Sequence, residues 1–143
     1  MGEMSWRFES DHTPDAFFVI CLLMANSILY VDDEAPLREL VHTYLSLEGW
    51  DITTAGGGDE AIDLLSRQKF DILLLDLHMP NTDGFDVLRF MRERKIQAST
   101  IIMSGDERPF LRDLCSRLGV NDHLPKPFDF EDLLLVLNRA RAA

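Results

Sequence analysis

The sequence predicts an α/β protein organised around a doubly wound parallel sheet, and three observations carry that expectation. The first is Phe70-Asp71-Ile72-Leu73-Leu74-Leu75-Asp76, a short and nearly unbroken apolar run. Such a run fits a strand buried on both faces, as in a parallel sheet with helices on each side. The second is the turn chemistry that follows, Met79-Pro80-Asn81-Thr82-Asp83-Gly84, which leaves too little length for a buried helix. The third is the alternation of short apolar strands with helical patterns, repeated five times after Ser27.

Each element has its own signals. Ile28-Leu29-Tyr30-Val31 is the first strand and runs into Asp32-Asp33. Glu34-Ala35-Pro36 opens a helix, since proline is tolerated in a first turn. Leu37, Leu40, Val41, Tyr44 and Leu45 then recur at helical spacing until Gly49. Asp51 to Ala55 reads as the second strand. Gly56-Gly57-Gly58 is a turn; no G-x-x-x-x-G-K-S/T pattern surrounds it to make a phosphate cradle. A helix starting at Gly58 or Asp59 carries Ala61, Ile62, Leu64 and Leu65. After the central strand, a helix from Gly84 turns Phe85, Val87, Leu88 and Met91 inward. Ser99 to Met103 is the fourth strand and leads into Ser104-Gly105-Asp106. A helix around Phe110 to Leu118 presents Leu111, Leu114, Cys115 and Leu118, and Gly119 stops it. Val120 to Leu124 is the fifth strand, followed by Pro125-Lys126-Pro127-Phe128. Asp129 caps the last helix, and Glu131-Asp132 suit the positive end of its dipole.

The 143 residues have room for one domain of this kind. A formal charge of −11 argues against direct nucleic-acid binding, which normally shows a basic patch. Cys21 and Cys115 form no metal spacing and read as reduced, buried thiols of a cytoplasmic protein. His12, His42, His78 and His123 make no zinc motif. Residues 1–23 stand outside the regular pattern as an N-terminal extension, and the domain is placed at 24–143. The apolar stretch 16–25 is too short for a bilayer span, which needs about 20 residues. The acidic residues Glu3, Glu9, Asp11 and Asp15 before it do not suit a signal peptide. No membrane role is expected.

Chemistry is expected where the strands end. In open α/β sheets ligands sit at the carboxyl edge of the strands. There the pattern brings Asp32, Asp33, Asp76 and Ser104 together, with Lys126 close behind the last strand. Clustered carboxylates repel one another, and a hard divalent cation with oxygen ligands relieves that repulsion. Magnesium retains several waters and takes one or two carboxylates plus a phosphate, which suits phosphoryl chemistry. A lysine and a hydroxyl beside it supply donors for a transferring phosphoryl group. A carboxylate is an attested nucleophile for that transfer.

Asp32-Asp33, Asp76 with Met79-Pro80 and Gly84, Ser104-Gly105, and Lys126-Pro127-Phe128 follow their strands in an order that resembles the receiver domain of bacterial two-component response regulators. The resemblance covers about residues 26–142. It implies a flavodoxin-like (βα)5 sheet with strand order 2-1-3-4-5. It implies that Asp76 takes a phosphoryl group from a histidine kinase or phosphotransfer protein. Asp33 and Asp76 would ligate Mg²⁺ (Mn²⁺ being an alternative ion) with the backbone carbonyl of His78, and Asp32 would help largely through water. Lys126 would pair with the phosphoryl group or with Asp76, Ser104 would hydrogen-bond it, and the Lys126-Pro127 bond would be cis.

Two departures qualify the likeness. The family's signalling aromatic on the fifth strand falls at His123, a smaller and titratable side chain. Ser104 and His123 are thus the expected switch pair, His123 being either a tolerated substitution or one that weakens the coupling or makes it pH-sensitive. His78 and Asp106 are expected to meet across the rim of the site and to set the lifetime of the phosphorylated form. On the final helix, Phe130, Leu133, Leu134 and Leu137 make a core stripe, which leaves Leu135 and Val136 as a contact surface for a target or a second copy. The reading is a stand-alone phosphoacceptor with no output domain after Ala143. It would be no enzyme beyond its own phosphorylation and dephosphorylation. The rivals are an aspartate-nucleophile phosphohydrolase, which would want a carboxylate where His78 stands, and a phosphorylation-independent binding module.

Overall fold

The computed structural model describes Ala16, residues 27–106 and residues 108–142. The expected extension at 1–23, the apolar stretch 16–25 apart from Ala16, and Cys21 lie outside the described residues. Five strands and five helices alternate: β1 (Ser27–Val31), α1 (Ala35–Leu47), β2 (Asp51–Ala55), α2 (Gly58–Arg67), β3 (Ile72–Asp76), α3 (Gly84–Arg94), β4 (Ser99–Ser104), α4 (Pro109–Arg117), β5 (Asp122–Pro125) and α5 (Phe130–Ala142). The strands are all parallel in the order β2-β1-β3-β4-β5. This is the sheet the sequence predicts.

The period of two along each strand divides the core into two layers. Leu29, Val31, Leu73 and Leu75 face α2, α3 and α4, where Ala61, Leu65, Val87, Leu88, Met91 and Cys115 receive them. Ile28, Tyr30, Ile72 and Leu74 face α1 and α5, against Val41, Leu45, Leu133, Val136 and Leu137. Every residue of β3 is therefore buried, which is why its sequence shows no polar alternation. Burial of each of its three leucines is worth about 1.5–3 kcal/mol, and together they anchor the strand that carries Asp76.

Helix ends follow local chemistry. Gly49 and Gly119 sit at φ +91 and +87, and the next N–H reaches back into the helix: Trp50 to Leu45 O, Val120 to Cys115 O, each at 3.0 Å. Lys95 does the same for α3 at φ 55, with Ile96 N donating to Met91 O at 2.9 Å. Asp83 and Asp86 form a reciprocal capping box at the start of α3. Asp129 Oδ1 accepts from Asp132 N at 2.8 Å at the start of α5.

Three expectations need correction. Val136 is buried at 4 % exposure, so it is a core residue and no part of a contact surface; Leu135 is 55 % exposed. The inward stripe of α5 runs Leu133, Val136, Leu137 and Ala140, with Phe130 and Leu134 packed at its flanks. Leu40 and Leu114 are exposed, because Val41 with Leu45 and Leu111 with Cys115 already fill the buried positions of α1 and α4. Strand β5 begins at Asp122, later than expected, since Val120 is spent closing the end of α4.

Candidate functional site

Neighbouring strands β1 and β3 deliver the acidic groups side by side at the carboxyl edge, at the point where the chain reverses its winding direction. Asp32 and Asp33 follow directly on β1, Asp76 is the last residue of β3, and Ser104 is the last of β4. Oxygen atoms of Asp32, Asp33 and Asp76 lie within 4.8 Å of one another. Asp32 is wholly buried, Asp76 is 5 % exposed, and Asp33 opens to solvent.

Lys126 reaches this cluster from the loop after β5. Its Nζ lies 3.0 Å from Asp32 Oδ2, 3.2 Å from Asp76 Oδ2 and 3.4 Å from Glu34 Oε1. Its N–H donates to Ser104 O at 3.1 Å, which extends β5 past Pro125, and the Lys126–Pro127 bond is cis. Burial pushes the Asp76 carboxyl above the ordinary carboxylate range; the Lys126 charge works against that, and the Asp32 charge adds to it. Burial alone would pull the Lys126 ammonium down, but hydrogen bonds and charges from Asp32 and Asp76 outweigh it and raise it.

Two glycines let the loop after Asp76 pack tightly. A Cβ on Gly84 would stand 2.7 Å from Asp76 O and 2.8 Å from Leu77 Cα. One on Gly58 would stand 2.3 Å from Thr82 O, so the start of α2 also bears on this loop. The third residue of the glycine run is thus a packing position. The His78 N–H turns back to Asp76 Oδ1 at 3.2 Å.

The rim carries the remaining expected residues. Ser104 is buried, and its Oγ accepts from Asp106 N at 2.9 Å. His78 Nε2 approaches Asp106 Oδ2 to 3.8 Å. The stronger partner of Asp106 was not foreseen: Arg108 Nε lies 2.9 and 3.0 Å from its two oxygens, and Nη2 2.5 Å from Oδ2. Side-chain and backbone hydrogen bonds from Arg108 hold the Asp106 carboxyl down to about 2. His123 lies on β5 opposite Ile102, half-buried, beside a cleft of about 460 Å³ lined also by Arg112, Cys115 and Pro125. The sequence reading also missed Tyr30, whose hydroxyl donates to Asp32 Oδ2 at 3.0 Å, and Arg38, which donates to the Asp32 carbonyl at 2.7 Å. A signal for Tyr30 existed, because a buried phenol needs a partner.

Hard carboxylate oxygens at this separation, one side open to water, fit a small divalent cation of the magnesium type. Asp33 and Asp76 could hold it, while the Asp32 oxygens already accept from Tyr30, Glu34 and Lys126. A cleft of about 600 Å³, lined by Phe70, Leu88, Met91 and Arg92 among others, lies at the opposite edge of the sheet.

Residues 28–138 match the family model for the response regulator receiver domain. Among curated proteins the chain is 36% identical over 107 residues to the transcriptional regulatory protein TrcR of Mycobacterium tuberculosis, covering 75% of this chain and 42% of that one. It is 34% identical over 111 residues to the response regulator SaeR of Staphylococcus aureus, covering 78% and 48%. The match thus spans less than half the length of either relative. Among solved structures, a Francisella response regulator receiver domain superposes with a TM-score of 0.76 at 27% identity, over 82% of this chain and 97% of that one. The receiver domain of a Pseudomonas aeruginosa sensor histidine kinase, described with a magnesium ion coordinated in its active-site cleft, gives 0.72 at 27%, over 83% and 99%. No helix among the described residues is long and apolar enough to cross a membrane.

Proposed function

The chain belongs to the response regulator receiver family, and on that premise we propose that Asp76 is a phosphoacceptor whose modification changes the protein contacts of this domain. The observation that supports this best is the Asp32–Asp33–Asp76 cluster with Lys126 Nζ 3.2 Å from the Asp76 carboxylate. The donor is a phosphohistidine of a kinase or phosphotransfer protein. An Asp76 oxygen attacks phosphorus, the P–N bond to the donor imidazole breaks, and the nitrogen keeps the electron pair and takes up a proton. Asp76 becomes an acyl phosphate.

Mg²⁺, when bound, supplies positive charge to the phosphoryl oxygens and offsets the repulsion between donor phosphate and acidic cluster. The residues of the chain do the rest. Lys126 already neutralises Asp76 and can follow the negative charge as it moves onto the phosphoryl oxygens. Ser104 Oγ gives up the Asp106 N–H to donate to the same group. His123 borders the cleft that an inward shift of this strand end would draw upon. His78 and Asp106 stand at the mouth, where they govern access of water and hence the lifetime of the acyl phosphate. The exposed Leu135 on α5 is one place where a target or a second copy can attach.

The test is the intact mass after brief exposure to acetyl phosphate with and without Mg²⁺, for wild type and Asp76→Ala. One added phosphoryl group that needs both Mg²⁺ and Asp76 is expected. Rapid release of phosphate with no adduct would favour a hydrolase, and neither adduct nor turnover would favour a phosphorylation-independent binding module.

A further inference from the structure

Asp32 is held by the protein at every polar atom it has. Its N–H donates to Ala55 O at 3.1 Å, and its carbonyl accepts from Arg38 Nη1 at 2.7 Å. Oδ1 accepts the Glu34 N–H at 2.9 Å, and Oδ2 accepts both the Tyr30 hydroxyl and Lys126 Nζ at 3.0 Å. Tyr30 and Arg38 carry no part of the chemistry described above. Tyr30 is wholly buried in the layer beneath α1 and α5, so its ring fixes where the hydroxyl stands. Arg38, on α1, lays its guanidinium over Gly56, where a Cβ would come within 3.2 Å of Nη1. Asp33 is the opposite case. It is exposed, and among the described residues no hydrogen bond holds its side chain, so its placement depends on the backbone that precedes it.

We propose that Tyr30 and Arg38 are positioning residues of the cation site, locking the Asp32 carboxylate and the Asp32–Asp33 peptide so that Asp33 presents its oxygen beside Asp76. This deepens the receiver reading and rests on it. A carboxylate that accepts from three fixed donors, one on Oδ1 and two on Oδ2, is held in one orientation. Groups behind metal ligands commonly govern affinity in this way.

Charge alone would give the opposite sign. Removing the cationic Arg38 would strengthen the attraction for a divalent ion. Losing the Tyr30 hydroxyl would leave more negative charge on Asp32, with the same result. Positioning predicts that both losses weaken binding.

The experiment uses the full chain and Mn²⁺ as probe, with free ion read from its electron paramagnetic resonance signal, alongside the Mg²⁺ dependence of acetyl phosphate modification. Tyr30→Phe and Arg38→Met are each expected to bind Mn²⁺ about tenfold more weakly, and the lost modification rate to be recovered by raising Mg²⁺. Arg38→Lys, which keeps a donor for the carbonyl, is expected to restore part of the affinity. Unchanged or tighter Mn²⁺ binding in Tyr30→Phe, which keeps the ring and its packing, would overturn the proposal, as would a rate loss that Mg²⁺ does not recover. A wild type that binds Mn²⁺ but takes no phosphoryl group would refute the receiver reading while leaving the cation-site comparison intact. A wild type that binds no Mn²⁺ would end both.

Discussion

Replacing Lys126 by methionine removes the cation that lies within hydrogen-bond reach of both the Asp32 and the Asp76 carboxylate. The two carboxylates would then face each other across no more than 4.8 Å, nearly out of contact with water. At an effective dielectric constant of about 20, two unit charges at that distance repel by about 3.5 kcal/mol. Removing one partner of a buried ion pair costs a comparable amount, about 3–5 kcal/mol. Lys126→Met is therefore expected to lose about 3 kcal/mol of unfolding free energy near neutral pH without divalent ions. The loss should depend on pH in a defined direction. Lys126 is the largest influence lowering the Asp76 carboxyl, so its removal raises that group further above its unfolded value. A folded state that binds a proton more tightly than the unfolded one is favoured as pH falls, so the deficit against wild type should narrow on acidification. Added Mg²⁺ should narrow it as well, because it binds the folded state alone and binds the variant more tightly once the Lys126 charge is gone. Urea denaturation of both proteins in chelator, at two pH values and then with Mg²⁺, measures all three effects. A deficit under about 0.5 kcal/mol, or one of equal size at both pH values, would refute the reasoning.

Gly84→Ala places a methyl group 2.7 Å from the Asp76 carbonyl and 2.8 Å from Leu77 Cα, two backbone atoms that cannot turn aside as a side chain could. A loss of about 1–3 kcal/mol is expected, seen as a lower urea midpoint at unchanged slope; a wild-type midpoint would show that the loop can yield. Arg108→Gln removes the group that holds the Asp106 carboxyl at about 2. Its midpoint, followed by NMR of the side-chain carboxyl carbon, should climb towards the ordinary 3.8, and a midpoint that stays put would mean that His78 or the loop backbone carries the effect.

The carboxyl-edge site was legible because each strand is a short apolar run and each chemical residue sits where that run stops. Asp32, Asp76 and Ser104 are conspicuous for this reason, and parallel pairing does the work of gathering them. The face of α5 was less legible. Leu133-Leu134-Leu135-Val136-Leu137 is apolar at every position, so it has no period from which to take a phase, and only the packing against β3, β4 and β5 assigns Val136 to the core. Tyr30 looks in the sequence like one more apolar strand residue, since sequence shows the ring's hydrophobicity but not which way its hydroxyl points. Arg108 follows the site by two residues past Asp106 in a loop whose course no local rule specifies.

A sheet whose strands all run one way also sorts its connections. Every turn from strand into helix gathers at the edge that holds the acidic cluster, and every return from helix to strand, at 48–50, 68–71, 95–98 and 118–121, gathers at the other. The two sets of loops are separated by the full height of the strands, about 17 Å for five residues. Changes of length in the second set therefore lie far from the acidic cluster, while changes in the first set fall beside it. For protein engineering this makes the return loops natural ports: a reporter or affinity tag spliced in at Gln68–Lys69 would ride on the domain while leaving Asp76 and its neighbours in place.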